Sequence, residues 1–143
     1  MKAIYFDLEE LVCPDVFNFM GENAWQLFDP RLIETLDNLR ERLNKRIIIN
    51  DWKWGGKNTQ SGYRCLKCGI VKDAIAQNKM YVSAHMTGQA VDFHVEGMLP
   101  EETRQWIIKN QSILRYNIRM EKDVAWVHLD TRDTGQKIFM FNA

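Results

Sequence analysis

Ser83-Ala84-His85-Met86-Thr87-Gly88-Gln89-Ala90-Val91-Asp92 is the stretch on which the reading of this 143-residue chain turns. His85 and Asp92 stand seven positions apart with Gly88 between them, an interval too irregular for two groups on one helix face. The spacing suits a turn that carries His85, a glycine in a conformation other residues resist, and a strand that opens near Ala90. Residues 90–95 alternate, so Ala90, Asp92 and His94 share one strand face. Trp126-Val127-His128-Leu129-Asp130 reads the same way, with Trp126, His128 and Asp130 on one side.

Working outward, Asp29 is a good N-cap and Pro30 suits a first helical position. Leu32, Leu36, Leu39 and Leu43 follow as one apolar stripe, with Arg40, Glu41, Arg42 and Lys45 as a solvated face. Ile47-Ile48-Ile49 is a short buried strand. Residues 51–63 read as a loop, whose Trp52 and Trp54 either wall a binding site or cover the core. Residues 68–78 form a weaker helix, and residues 100–110 a firmer one that starts at Pro100. Strands are expected over 117–120, 124–130 and 137–141. The first 28 residues hold six aromatics without a clean period and read as loop and short helix around the core. Strands dominating the second half give a single α+β domain, with helices flanking an antiparallel sheet.

The hydrophobic fraction of 45% suffices for one packed core. Nineteen basic and nineteen acidic residues cancel, which leaves no basic footprint for nucleic acid or a polybasic membrane surface. No apolar run approaches the roughly 18 residues of a membrane span, and the N-terminal stretch is interrupted by acids rather than built as a signal peptide. The expectation is a monomer made in a cytoplasm without signal-dependent export. Cys13, Cys65 and Cys68 are an odd set, which argues against a disulfide framework. Cys65 and Cys68 form a lone C-x-x-C with no second pair, so all three read as ordinary reduced thiols.

His85, Asp92 and His128 offer two imidazoles and one carboxylate. With a fourth position left to water, that is the composition of a catalytic zinc site. A metal so held polarises a carbonyl and acidifies water near neutral pH. The plainer reading is that isolated histidines occupy satisfied polar sites, and H-x6-D has no standing of its own.

Taken together, Ser61-Gly62-Tyr63-Arg64, then Ser83-x-His85-x-x-Gly88-x-Ala90-x-Asp92, then Trp126-Val127-His128-Leu129-Asp130 resemble a family of zinc peptidases. These are the D-alanyl-D-alanine carboxypeptidases and related phage endolysins, which share a fold with the hedgehog signalling domain. The resemblance covers roughly residues 30–132. It implies one zinc per chain on His85, Asp92 and His128. Arg64 would pair with a substrate's terminal carboxylate, and Ser83 would support the site near His85 or the substrate. The implied substrate is the peptide stem of bacterial peptidoglycan. In a chain without a signal peptide, it further implies a phage or prophage enzyme released at lysis, or a cytoplasmic dipeptidase.

Many catalytic members of that family carry a carboxylate three positions before the second histidine ligand, where this chain has Ala125. The sequence offers Asp130, Asp123 and His94 as replacement bases, with Asp130 also suited to orienting His128. The competing expectation is a weak or inactive zinc-binding module for wall recognition or phage structure.

Overall fold

A computed structural model describes residues 1–143. Two layers result from one alternation. Four helices, α1 (Pro14–Met20), α2 (Pro30–Leu43), α3 (Gly69–Ala76) and α4 (Pro100–Lys109), accompany five strands. The strands are β1 (Ile47–Ile48), β2 (Ala90–Val95), β3 (Ile118–Glu121), β4 (Val127–Asp130) and β5 (Ile138–Phe141), in the sheet order β1-β2-β4-β3-β5. Val91, Phe93 and Val95 of β2, Ile118 and Met120 of β3, and Val127 and Leu129 of β4 are all buried in one hydrophobic cluster. Side chains alternate along a strand, so Asp92, Arg119, Glu121, His128 and Asp130 fall on the opposite face. The core takes one side of the sheet and the polar chemistry takes the other.

The α2 helix contributes Leu32, Leu36, Leu39 and Leu43, the stripe visible in the sequence, and also Ile33 to the core. Asp29 caps it, accepting from the Arg31 backbone N–H at 2.9 Å. Asn44 closes it in the left-handed region at φ 50°. The N-terminal residues add α1 and two 3-10 turns, Leu8–Glu10 and Gly21–Leu27. They bury Leu8, Leu11, Val12, Val16 and Trp25 against the same core.

The sheet is mixed rather than purely antiparallel, which corrects the sequence expectation. The β1–β2, β2–β4 and β3–β4 pairs are antiparallel, but β5 lies parallel to β3. The cause is the connection 131–137, which leaves β4 and arches over the start of β3 to its outer edge. A hairpin would have returned β5 beside β4, but that edge is already taken by β2. No helix is long and apolar enough to cross a membrane.

Candidate metal centre

The register of β2 against β4 sets Asp92 directly opposite His128. His85 approaches from a 3-10 turn, Ala84–Thr87, that leads into β2. Ser83 caps this turn, its hydroxyl accepting from the His85 backbone N–H at 3.2 Å. Gly88 ends it at φ 68°, where an added Cβ would lie 1.9 Å from the Leu27 carbonyl oxygen. The sequence reading of a turn, a special glycine and a strand corresponds to these elements.

The three side chains converge. Asp92 Oδ1 lies 2.9 Å from His128 Nδ1 and 3.4 Å from His85 Nε2, and the three donor atoms all fall within 4.8 Å of one another. Metal–ligand bonds of about 2.05 Å in a tetrahedron require edges of about 3.3 Å. The His85–Asp92 edge already has this length, and the His128–Asp92 edge needs only a few tenths of an ångström. Each imidazole is held by its other nitrogen. His85 Nδ1 donates to the Gly62 carbonyl at 2.9 Å, and His128 Nε2 donates to Asp130 Oδ2 at 2.9 Å. Such partners fix the tautomer that turns a lone pair toward a cation.

The metal-free electrostatics follow from this packing. Burial opposes charge on Asp92, but the hydrogen bond from His128 and the nearby His85 imidazole outweigh it and hold the carboxyl well below its usual range. Burial likewise opposes charge on His128, yet Asp130 and Asp92 push its pKa up to about 9. Two carboxylates facing one imidazole bind a proton tightly. A divalent cation replacing that proton meets the same negative field.

Arg64 reaches the centre from the loop before α3. Its Nε donates to the Gln60 carbonyl at 2.7 Å, one terminal nitrogen to Tyr81 Oη at 2.6 Å, and the other to Asp92 Oδ2 at 3.1 Å. A guanidinium has five N–H donors, so one remains on each terminal nitrogen. Arg64 therefore orients Asp92 and keeps one unused N–H on each terminal nitrogen. Two clefts, of about 320 and 340 Å³, share Arg64, Asp92 and Trp126 as lining.

The sequence-derived bases fare unequally. Asp130 is wholly buried, and both its oxygens are engaged: Oδ1 by Arg119 Nε and the Arg132 backbone N–H, Oδ2 by Arg119 and His128. This geometry is that of an orienting partner for His128, the second role the sequence offered for it. Asp123 lies apart from the cleft that holds the two histidines. It sits exposed in the turn between β3 and β4 at φ 62° and does not line the 320 Å³ cleft. His94 is exposed on the Asp92 face and borders only the neighbouring cleft.

Sequence reasoning missed Glu121. The β3–β4 register pairs Arg119 with Asp130 and Met120 with Leu129, so its continuation brings Glu121 opposite His128. Glu121 lines the cleft together with His85, Asp92, His128 and Arg132. The signal was present in alternation, since Arg119 and Glu121 share a face, but the expected strand stopped one residue short at Met120. The carbonyl of Gly62 and the hydroxyl of Tyr81 were missed for another reason: their roles depend on loop conformation, which has no period.

No family model matches this chain, and no curated protein or solved structure matches it.

Proposed function

We propose that this protein is a zinc-dependent peptidase that hydrolyses an amide bond in bacterial peptidoglycan stem peptides, of the D-alanyl-D-alanine carboxypeptidase or endolysin kind. The observation that carries the reading is the convergence of His85 Nε2, Asp92 Oδ1 and His128 Nδ1 on a cleft, each imidazole locked by its other nitrogen. A two-histidine, one-carboxylate donor set suits zinc and leaves a position open to water or substrate. Zinc held there supplies Lewis acidity, polarising the amide carbonyl and acidifying water.

The chain's own residues do the rest. Glu121, opposite His128, is the side-chain carboxylate positioned in the cleft to accept a proton from the attacking water and return it to the leaving amine. It takes the part that Ala125 cannot. Arg64 offers its two remaining donors as a fork for a substrate carboxylate. Arg132 adds positive charge on the same wall. Trp126, 39% exposed where the two clefts meet, gives an apolar surface for the methyl groups of an alanine-rich stem. The phage or prophage setting belongs to the same proposal and rests on the family resemblance.

The test is incubation of zinc-loaded protein with purified wall peptides, followed by mass analysis of the products. Loss of a terminal residue, or cleavage within the stem, is the expected result. An intact peptide pool at high protein concentration would reject the peptidase and leave a zinc-binding module.

A further inference from the structure

Away from the histidine centre, the fold gathers all three cysteines. Cys13 immediately precedes α1, and Cys65 and Cys68 bracket the turn into α3. Cys13 Sγ lies 3.7 Å from Cys65 Sγ, and Cys65 Sγ lies 3.8 Å from Cys68 Sγ. All three sulfurs fall within 4.8 Å of one another, and none is in a disulfide. The C-x-x-C that looked isolated in sequence has its third member 52 residues upstream of Cys65.

The separations are informative. Bonded sulfurs would stand about 2.05 Å apart. Sulfurs sharing one tetrahedral zinc at about 2.3 Å would stand about 3.8 Å apart along each edge. Two edges here have the second length. Cys13 and Cys68 are buried, while Cys65 is partly open to a cleft of about 390 Å³ bordered by Asp15, Phe19, Tyr63, Lys67 and Met86.

We propose that Cys13, Cys65 and Cys68 form a second metal site that binds one thiophilic d10 cation, zinc in the cell, as three thiolates with water or an external donor in the fourth position. Soft sulfur donors select such cations over magnesium, calcium or manganese. Binding breaks three S–H bonds, forms three metal–sulfur bonds and releases the protons to solvent, with no change of oxidation state. The site shares no residue with the His85–Asp92–His128 centre and does not rest on the peptidase reading. Its consequence is mechanical. It fastens the N-terminal segment to the loop that carries Gly62 and Arg64, a junction otherwise held by hydrogen bonds such as Tyr63 N–H to the Leu11 carbonyl at 2.8 Å.

The experiment uses full-length protein, reduced, stripped of metal and titrated with cadmium. Sulfur-to-cadmium charge transfer gives an ultraviolet band that histidine and carboxylate ligands do not produce. The expected result is a band saturating at one cadmium per chain, in the unmutated protein and equally in His85→Ala. In Cys65→Ser and Cys68→Ser the band should weaken and the cadmium affinity of the thiol site fall at least tenfold. Total zinc should then drop by one per chain in Cys65→Ser. No band in the unmutated protein at saturating cadmium would overturn the proposal, whatever the variants do. So would a band of full intensity in both serine variants. Loss of zinc from the histidine centre alone leaves the cadmium band in place, so failure of the peptidase reading remains separable.

Discussion

Arg119 meets Asp130 through two hydrogen bonds of 2.8 Å each, and Asp130 Oδ2 also accepts from His128 Nε2 at 2.9 Å. The chain of groups runs from guanidinium to carboxylate to imidazole and ends at Nδ1, which faces Asp92. Asp130→Asn keeps the shape but removes the charge that fixes His128. Zinc affinity should fall by roughly 10- to 100-fold. Competition with a chromogenic chelator measures this, and unchanged affinity would remove Asp130 from the centre.

Glu121→Gln separates proton transfer from metal binding. The side chain stays opposite His128 but can no longer take a proton. Turnover of wall peptide should fall by about 100-fold or more, the scale of general-base loss, while zinc content stays at the unmutated level. Equal turnover in Glu121→Gln would return the search to His94, at the edge of the neighbouring cleft.

Arg64→Lys retains charge and loses the fork. A lysine cannot donate at once to Gln60, Tyr81 and Asp92 and still offer two parallel donors. The Michaelis constant for substrates with a free C-terminus should rise by at least about tenfold, the value of one charge-assisted hydrogen bond. Amidating that terminus should raise it similarly in the unmutated protein. Indifference to amidation would point to cleavage inside the stem, for which the two clefts flanking Asp92 leave room.

These variants also mark what the sequence made legible. Period-two patterning disclosed Asp92 and His128 on strand faces, and period 3.6 disclosed the Leu32–Leu43 stripe. Both signals are local and repeat, so they survive in a single sequence. The mixed sheet was hidden because β5 is placed by an arch over β3, and nothing in Ile138–Phe141 records which neighbour it will have. The cysteine cluster was hidden because Cys13 and Cys65, 52 residues apart in the chain, meet only in the folded structure. Spacing along a chain cannot report a meeting that tertiary structure makes.

Glycine substitutions should show how tightly the loops are fitted. A Cβ on Gly62 would stand 2.1 Å from the Leu11 carbonyl oxygen, and one on Gly88 would stand 1.9 Å from that of Leu27. Backbone must move in both cases. Gly62→Ala and Gly88→Ala should each cost about 2 kcal/mol or more, and Gly62→Ala should also loosen zinc, because its carbonyl holds His85. Gly97→Ala is the control: φ is 79° but the space is open, so about 1 kcal/mol is expected. Chemical denaturation of the three variants gives the comparison, and equal losses would contradict the close approaches.

The metal-free protein should show a specific pH dependence. Burial alone would lower the His128 pKa, but Asp130 and Asp92 raise it from an ordinary 6.5 to about 9. A folded-state value above the unfolded one stabilises fully below about pH 6.5, and that stability is lost as pH climbs through about 9. The bound proton also competes with a cation for Nδ1. The melting temperature of chelator-treated protein should therefore decline between pH 6.5 and 9, while zinc affinity rises over the same interval. Zinc affinity independent of pH across that window would contradict the proton competition.

The pairing of Asp92 with His128 across β2 and β4 joins residues 36 positions apart. A slip of one residue between those strands would turn Val127 or Leu129 toward Asp92 and send His128 into the oily layer. A cation that needs both side chains stabilises one alignment and none of its neighbours. Bound there, it would proofread the sheet, favouring the correct alignment over every slipped one.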